Sequence, residues 1–298
     1  MSSTVQPRGA TKIALSVHSW LVYLFFFAPI FVLLVFSFSD DRNVGRWGGF
    51  TLEWYQEFVE HNQLQSAVWV SVRVALLSTL ISVVLGTLAA LALERFKFRG
   101  RKVFDALLYL PIIIPDVTMA VMMLLFFSEF FDVLDTLFGL NLQKGLGSIT
   151  ISHIAFNISF VSVVVRARLA GMSEVLEEAA LDLYATRWKT FRYVTFPQIV
   201  PGVAGGALLA LTLSLDDVVI TQFAAGPGAT TLPVFVFGLI RRGVTPLINA
   251  TSVIMLAASV FLVALSLLFQ QFSGRGLRPA LRAGGEPVSA KTNTMTTT

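Results

Sequence analysis

Six apolar runs, each long enough to cross a lipid bilayer, constrain this chain more than any other feature. A spanning helix needs roughly 17–25 mostly apolar residues. The runs Ile13–Phe38, Ser66–Leu93, Val103–Phe127, Ile149–Val165, Gln198–Gln222 and Leu247–Phe272 all reach that length. In hydrocarbon no water satisfies backbone N–H and C=O groups, so such runs must close their hydrogen bonds internally, as helices. The predicted fold class is therefore an all-α polytopic membrane protein with six transmembrane helices. Composition agrees: 13% of the 298 residues are charged, where a soluble domain carries about 25%. Ile149–Val165 is the weakest run, because His153 and Asn157 interrupt it. Leu232 to Ile240 is too short to span and reads as a re-entrant stretch. The first run of 26 residues exceeds the roughly 7–15 of a signal-peptide core, so it reads as a retained helix.

Lys and Arg set the orientation. Arg8 and Lys12 precede the first run, and Arg95, Lys97, Arg99, Arg101 and Lys102 fill the second connection. Arg166, Arg168, Arg187, Lys189 and Arg192 fill the fourth, and Arg275, Arg278, Arg282 and Lys291 the tail. The odd connections carry fewer, so both termini are expected in the cytoplasm. Residues 1–12 read as a cytoplasmic segment, 13–272 as the membrane domain, and 273–298 as a disordered tail. The first outer loop is acidic and places Trp47 and Trp54 near the interface. A sequence pI of 9.6 implies no nucleic-acid partner, because the basic residues sit beside apolar runs, where they act as topology signals.

Several functions are excluded. The chain has no cysteine, hence no disulfide framework and no Cys-based metal site, and no metal site is predicted. No Gly-Lys dipeptide occurs, so a phosphate-binding G-x-x-x-x-G-K-[ST] loop is impossible. No H-E-x-x-H or G-x-S-x-G pattern implies an intramembrane enzyme, so the chain reads as a non-enzyme.

Ionisable residues inside spans are costly and are functional candidates by default. Asp116 lies within Pro111–Asp116 of the third run, Asp216 and Asp217 in the fifth, and Arg73 in the second. At 1.5 Å per residue, Asp216 is about 28 Å and Asp116 about 20 Å along their helices from the cytoplasmic side. Arg73 lies about 10 Å in from the outer end of its span, so all four fall in the outer half. Three carboxylates against one arginine leave a formal charge of about −2 there, which suits a di- or polycation. Arg73 either pairs with one aspartate or remains apart. Asp216 and Asp217 are 100° apart on a continuous helix, so one faces a pathway while the other bonds a neighbouring helix or sits at the interface. His18 and His153 read as satisfied interior polar groups. Asp105 reads as an interfacial charge, and Gly202-x-x-x-Gly206 as close helix packing.

Between the fourth and fifth runs lies a polar loop, 171–197. Ser173 is positioned to cap a helix whose first turns hold Glu174, Glu177 and Glu178, charges that suit a helix N-terminus. Leu176, Ala180 and Leu183 share one face, and Ala179 and Ala180 keep the surface low enough for another protein's groove to close around it. Thr186 caps a second short helix, and Pro197 marks the break before the fifth span.

This loop resembles the EAA loop of binding-protein-dependent ABC importer permeases: E-A-A, three residues, Gly, nine residues, Ile-x-Leu-Pro. The chain has Glu178-Ala179-Ala180, then Tyr184, then Val194-Thr195-Phe196-Pro197 at matching spacings. Tyr184 departs from the pattern's Gly, which supplies a left-handed bend that costs another residue about 1–2 kcal/mol. Leu110–Val121, Ile151–Leu169 and Leu213–Pro227 further resemble the second permease subunit of spermidine/putrescine-type importers. The resemblance implies a type I ABC importer permease fold in the bacterial inner membrane. It implies partners too: a second permease, two ATP-binding subunits and a periplasmic polyamine-binding protein. ATP and Mg would sit on the ATPase, with no cofactor on this chain. Asp116, Asp216 and Asp217 would guide ammonium groups, and Glu178, Ala179, Ala180, Tyr184 and Pro197 would serve coupling. An importer of another small cationic or opine-like solute is the runner-up. A gradient-driven secondary transporter is the rival of a different class and leaves the EAA spacing unexplained.

Overall fold

The computed structural model describes residues 9–173, 175–243 and 245–275. Among the described residues the chain is helical throughout, apart from one isolated bridge between Ser39 and Phe50. In chain order the helices are α1 Gly9–Phe36, α2 Glu53–Glu60, α3 Asn62–Arg95, α4 Arg101–Ile113, α5 Asp116–Phe138 and α6 Leu146–Ala170. Then come α7 Val175–Asp182, α8 Arg187–Thr190, a π-helical turn Phe191–Thr195, α9 Phe196–Asp216, α10 Val219–Ala224, α11 Leu232–Arg242 and α12 Pro246–Arg275. Six helical stretches among the described residues are long and apolar enough to span a membrane, the third being Asp116–Phe138 rather than the predicted Val103–Phe127. The re-entrant reading at Leu232 corresponds to α11. The disordered tail read from 273 lies outside the described residues beyond Arg275.

The run that looked weakest is the most deeply embedded. α6 packs between α3 and α9, and in its most apolar window 61% of residues are buried, against none in α1. Glycine makes the close approach possible. A Cβ on Gly86 of α3 would lie 2.8 Å from Val161 Cβ, one on Gly202 2.8 Å from Arg168 Cβ, and one on Gly206 3.3 Å from Val161 Cγ1. Val161, Val165, Leu169, Ala90, Ile199 and Ala210 fill this seam. At one end of the bundle Trp54 and Phe58 of α2 pack on Leu64, Leu232 and Leu247. Trp54 is therefore interior, its indole N–H donating to the Ser39 carbonyl at 2.7 Å, whereas Trp47 is half exposed.

Two predicted spans are broken, and the breaks matter more than the spans. The run Val103–Phe127 is interrupted at Ile114 and Pro115. Proline holds the preceding residue extended, and Ile114 has φ −71° and ψ 132°. The run Gln198–Gln222 stops at Asp216, and Asp217 turns extended at φ −67° and ψ 126°. The predicted break at Pro197 is absent: Pro197 sits in the first turn of α9. The π turn widens the helix just ahead of it, with Phe196 N–H reaching back five residues to the Phe191 carbonyl, so a residue lacking an N–H is accommodated.

Candidate functional site

Both helix breaks open onto one cavity. Asp116 is the first residue of α5, Asp216 the last of α9, and Asp217 the first beyond it. All three line a cavity of about 390 Å³, with Phe156 and Phe160 of α6 on its wall. Asp116 sits where a helix N-terminus favours negative charge. Asp216 sits at the opposite pole: a C-terminus already carries partial negative charge and unpaired carbonyls, so a carboxylate there gains most from an approaching cation.

The two adjacent aspartates part company because the helix ends between them. Asp217 turns onto α10, accepting hydrogen bonds from the Thr221 N–H and hydroxyl at 2.7 Å each and from the Ile220 N–H at 3.3 Å. Its carboxylate also lies 3.4 Å from Nε2 of the fully buried His153. Asp216 is exposed and additionally borders a second, apolar cavity of about 330 Å³ beside Phe58, Val68 and Met255. Of the two readings of this pair, the geometry has Asp217 bonded within the chain and Asp216 open. The 100° helical offset does not apply, since Asp217 is not helical.

His153 organises the wall behind the cavity. Its Nδ1 lies 2.6 Å from Ser214 Oγ and its Nε2 2.9 Å from Thr221 Oγ1, and Ser214 Oγ meets Ser78 Oγ at 3.1 Å. This chain of polar groups crosses α3, α9, α6 and α10. The sequence marked His153 as a satisfied interior group but named none of its partners, which come from α9, α10 and Asp217 between them. His18, read the same way, is exposed on α1: α1 buries almost nothing against its own chain, so it offers no interior. Arg73 is exposed on α3 and pairs with none of the three aspartates.

At the other end of the bundle, α7 carries Glu178 and Ala179 exposed and Ala180 half-buried. Tyr184 has φ 62°, the one positive value outside glycine among the described residues, with its side chain 97% exposed. It thus takes the left-handed conformation that Gly holds in the EAA pattern. Thr186 caps α8, its hydroxyl accepting from the Lys189 N–H at 3.3 Å. The cap read at Ser173 adjoins residue 174, outside the described residues. Leu183 lies past the end of α7, 82% exposed, and does not extend its apolar face. Asp105 is paired with Arg166 of α6 rather than with Arg101 or Lys102.

The family described as the inner membrane component of binding-protein-dependent transport systems matches residues 82–279. This chain belongs to that family. It is 39% identical over 239 residues to the putrescine transport system permease protein PotI of Escherichia coli K12, covering 80% of this chain and 84% of PotI. It is 34% identical over 255 residues to the spermidine/putrescine permease protein PotC of the same organism, covering 86% and 93%. Among solved structures, a bacterial ABC transporter that imports the acidic polysaccharide alginate superposes with a TM-score of 0.73 at 19% identity, over 90% of this chain and 96% of that one. The same transporter bound to its alginate-loaded periplasmic protein gives 0.69 at 20% identity, over 91% and 95%. At that identity the likeness establishes the ABC importer permease fold. The chain is thus an inner-membrane transport component with six spanning helices.

Proposed function

We propose that this permease is one of two membrane subunits of an ATP-driven importer that carries putrescine or spermidine inward. A periplasmic binding protein delivers the solute, and two ATPase subunits, which hold ATP and Mg, dock on Glu178–Ala180 of α7. Both termini then face the cytoplasm. The observation that carries the substrate class is the meeting of Asp116 and Asp216 in one cavity at two helix breaks, with Asp217 behind them. A linear diammonium places one cationic end at the α9 terminus and the other at Asp116, while Phe156 and Phe160 contact its methylenes. Cation–π attraction from such rings adds about 0.5–2 kcal/mol. The identity to PotI and PotC over most of the chain supports the same reading.

The test is ATP-dependent uptake of labelled putrescine and spermidine into proteoliposomes holding this chain, its partner permease, the ATPase and the binding protein. Saturable uptake of either, lost when this chain is omitted, is the expected result. ATP turnover stimulated by a loaded binding protein without uptake of either would reassign the solute to another small cation or amino-acid-derived compound. Uptake by this chain alone along an ion gradient would overturn the ATP-driven reading.

A further inference from the structure

The loop helix α7 meets the membrane domain through side-chain hydrogen bonds to α3 and to the π turn ahead of α9. None of its described residues is fully buried. Glu177, next to the exposed Glu178, turns inward, its side chain 21% exposed. A single carboxylate oxygen, Oε1, accepts from Arg95 Nη2 at 2.9 Å and from Thr195 Oγ1 at 2.9 Å. Arg95 is the last residue of α3, and Thr195 the last of the π turn that runs into α9. One oxygen thus fastens α7 to the ends of both helices that flank α6.

The third helix joins through the neighbouring residue. Glu94 of α3 accepts from Arg166 Nε of α6 at 2.8 Å, and Arg166 also donates to Asp105 of α4. Adjacent residues on α3 therefore hold the loop on one side and the bundle on the other. Apolar packing transmits force through buried area, which α7 lacks. Charge-assisted hydrogen bonds transmit it through short, directional contacts.

We propose that Glu177, with Arg95 and Thr195, is the positioning joint that carries movement of α7 into α3 and α9, and through α9 to the break at Asp216. This rests on the reading that α7 docks on an ATPase. It assigns to Glu177 a role separate from that of the outward Glu178–Ala180.

The decisive quantity is the ATP hydrolysed per solute imported by the assembled transporter in proteoliposomes, normalised to co-purified ATPase subunit. Glu177→Gln and Glu177→Arg are each expected to raise that ratio by about threefold or more while solute-stimulated hydrolysis continues, within the span of measured coupling effects. Arg95→Glu should do the same, and Glu177→Arg combined with Arg95→Glu should bring the ratio back toward wild type. If Glu177→Gln does not assemble, Thr195→Val, which removes only the hydroxyl contact, is expected to raise the ratio in the same direction. A wild-type ratio in the single variants overturns the joint. A charge exchange no better than either single change overturns the pairing as its basis. A wild-type complex without solute-stimulated hydrolysis would instead bring down the docking of α7 on an ATPase, and this inference with it.

Discussion

Asp216 and Asp217 are chemically identical and adjacent, yet their surroundings assign them different work. Asp217 accepts three hydrogen bonds from α10 and lies beside His153; Asp216 stands open to two cavities. Asp216→Asn should therefore lower transport efficiency for a diammonium about 10-fold or more, as loss of a charged hydrogen-bond acceptor costs about 1.5–3 kcal/mol, while the protein stays folded. Asp217→Asn should lower the melting temperature in detergent, because its amide cannot accept as two carboxylate oxygens do. Uptake kinetics paired with thermal denaturation separate the two; equal transport defects at unchanged stability would refute the division. Tyr184 shows the same dependence on position. A tyrosine at φ 62° is unfavourable on its own, but the bend that links α7 to α8 needs that conformation and the surrounding chain supplies it.

Helix ends and helix contacts decide where these residues act. Pro115 and the extended Asp217 cut two long apolar runs, and each cut leaves a carboxylate at a helix terminus facing the same cavity. Such discontinuous helices give buried backbone carbonyls a use that a continuous helix forbids. The packing of α3, α6 and α9 is equally specific. A Cβ at Gly86 would meet Val161 Cβ at 2.8 Å and the Ile158 carbonyl oxygen at 2.9 Å, and a carbonyl cannot rotate away as a side-chain end can. Gly86→Ala should cost about 1–3 kcal/mol, the usual price of overpacking, read as a lower melting temperature of the purified protein. An unchanged melting temperature would mean that α3 and α6 are farther apart than described.

For the whole molecule the prediction concerns direction. The positive-inside pattern predicts that the α7 end of the bundle faces the cytoplasm, where ATP is. Because the chain has no cysteine, single substitutions report accessibility without background. Asn43→Cys, in the loop between α1 and α2, should label with a membrane-impermeant maleimide in intact spheroplasts. Lys97→Cys, between α3 and α4, should label only after permeabilisation. The reverse pattern would place α7 away from ATP and overturn the proposed coupling.

Hydrophobic length and charge placement belong to consecutive residues, so the sequence by itself determined the number of spans, the loop at Glu178–Pro197 and the three aspartates as candidates, but not the bounds of the third and fifth spans. The lack of any Gly-Lys dipeptide likewise excluded a G-x-x-x-x-G-K-[ST] loop from this chain. What the tertiary structure decided involves partners distant in sequence. His153 and Asn157 made α6 look like the poorest span because hydropathy averages over all faces of a helix; in the bundle both are fully buried, which makes α6 its centre. The ion pair of Arg95 with Glu177 joins residues 82 positions apart, and nothing local marks either as the other's partner. The ending of α9 between Asp216 and Asp217 is also a tertiary outcome. Local pattern favours continuing the helix; the bonds from Asp217 to Ile220 and Thr221 are themselves local, but the buried His153 beside its carboxylate comes from α6 and is there only once the helices have packed.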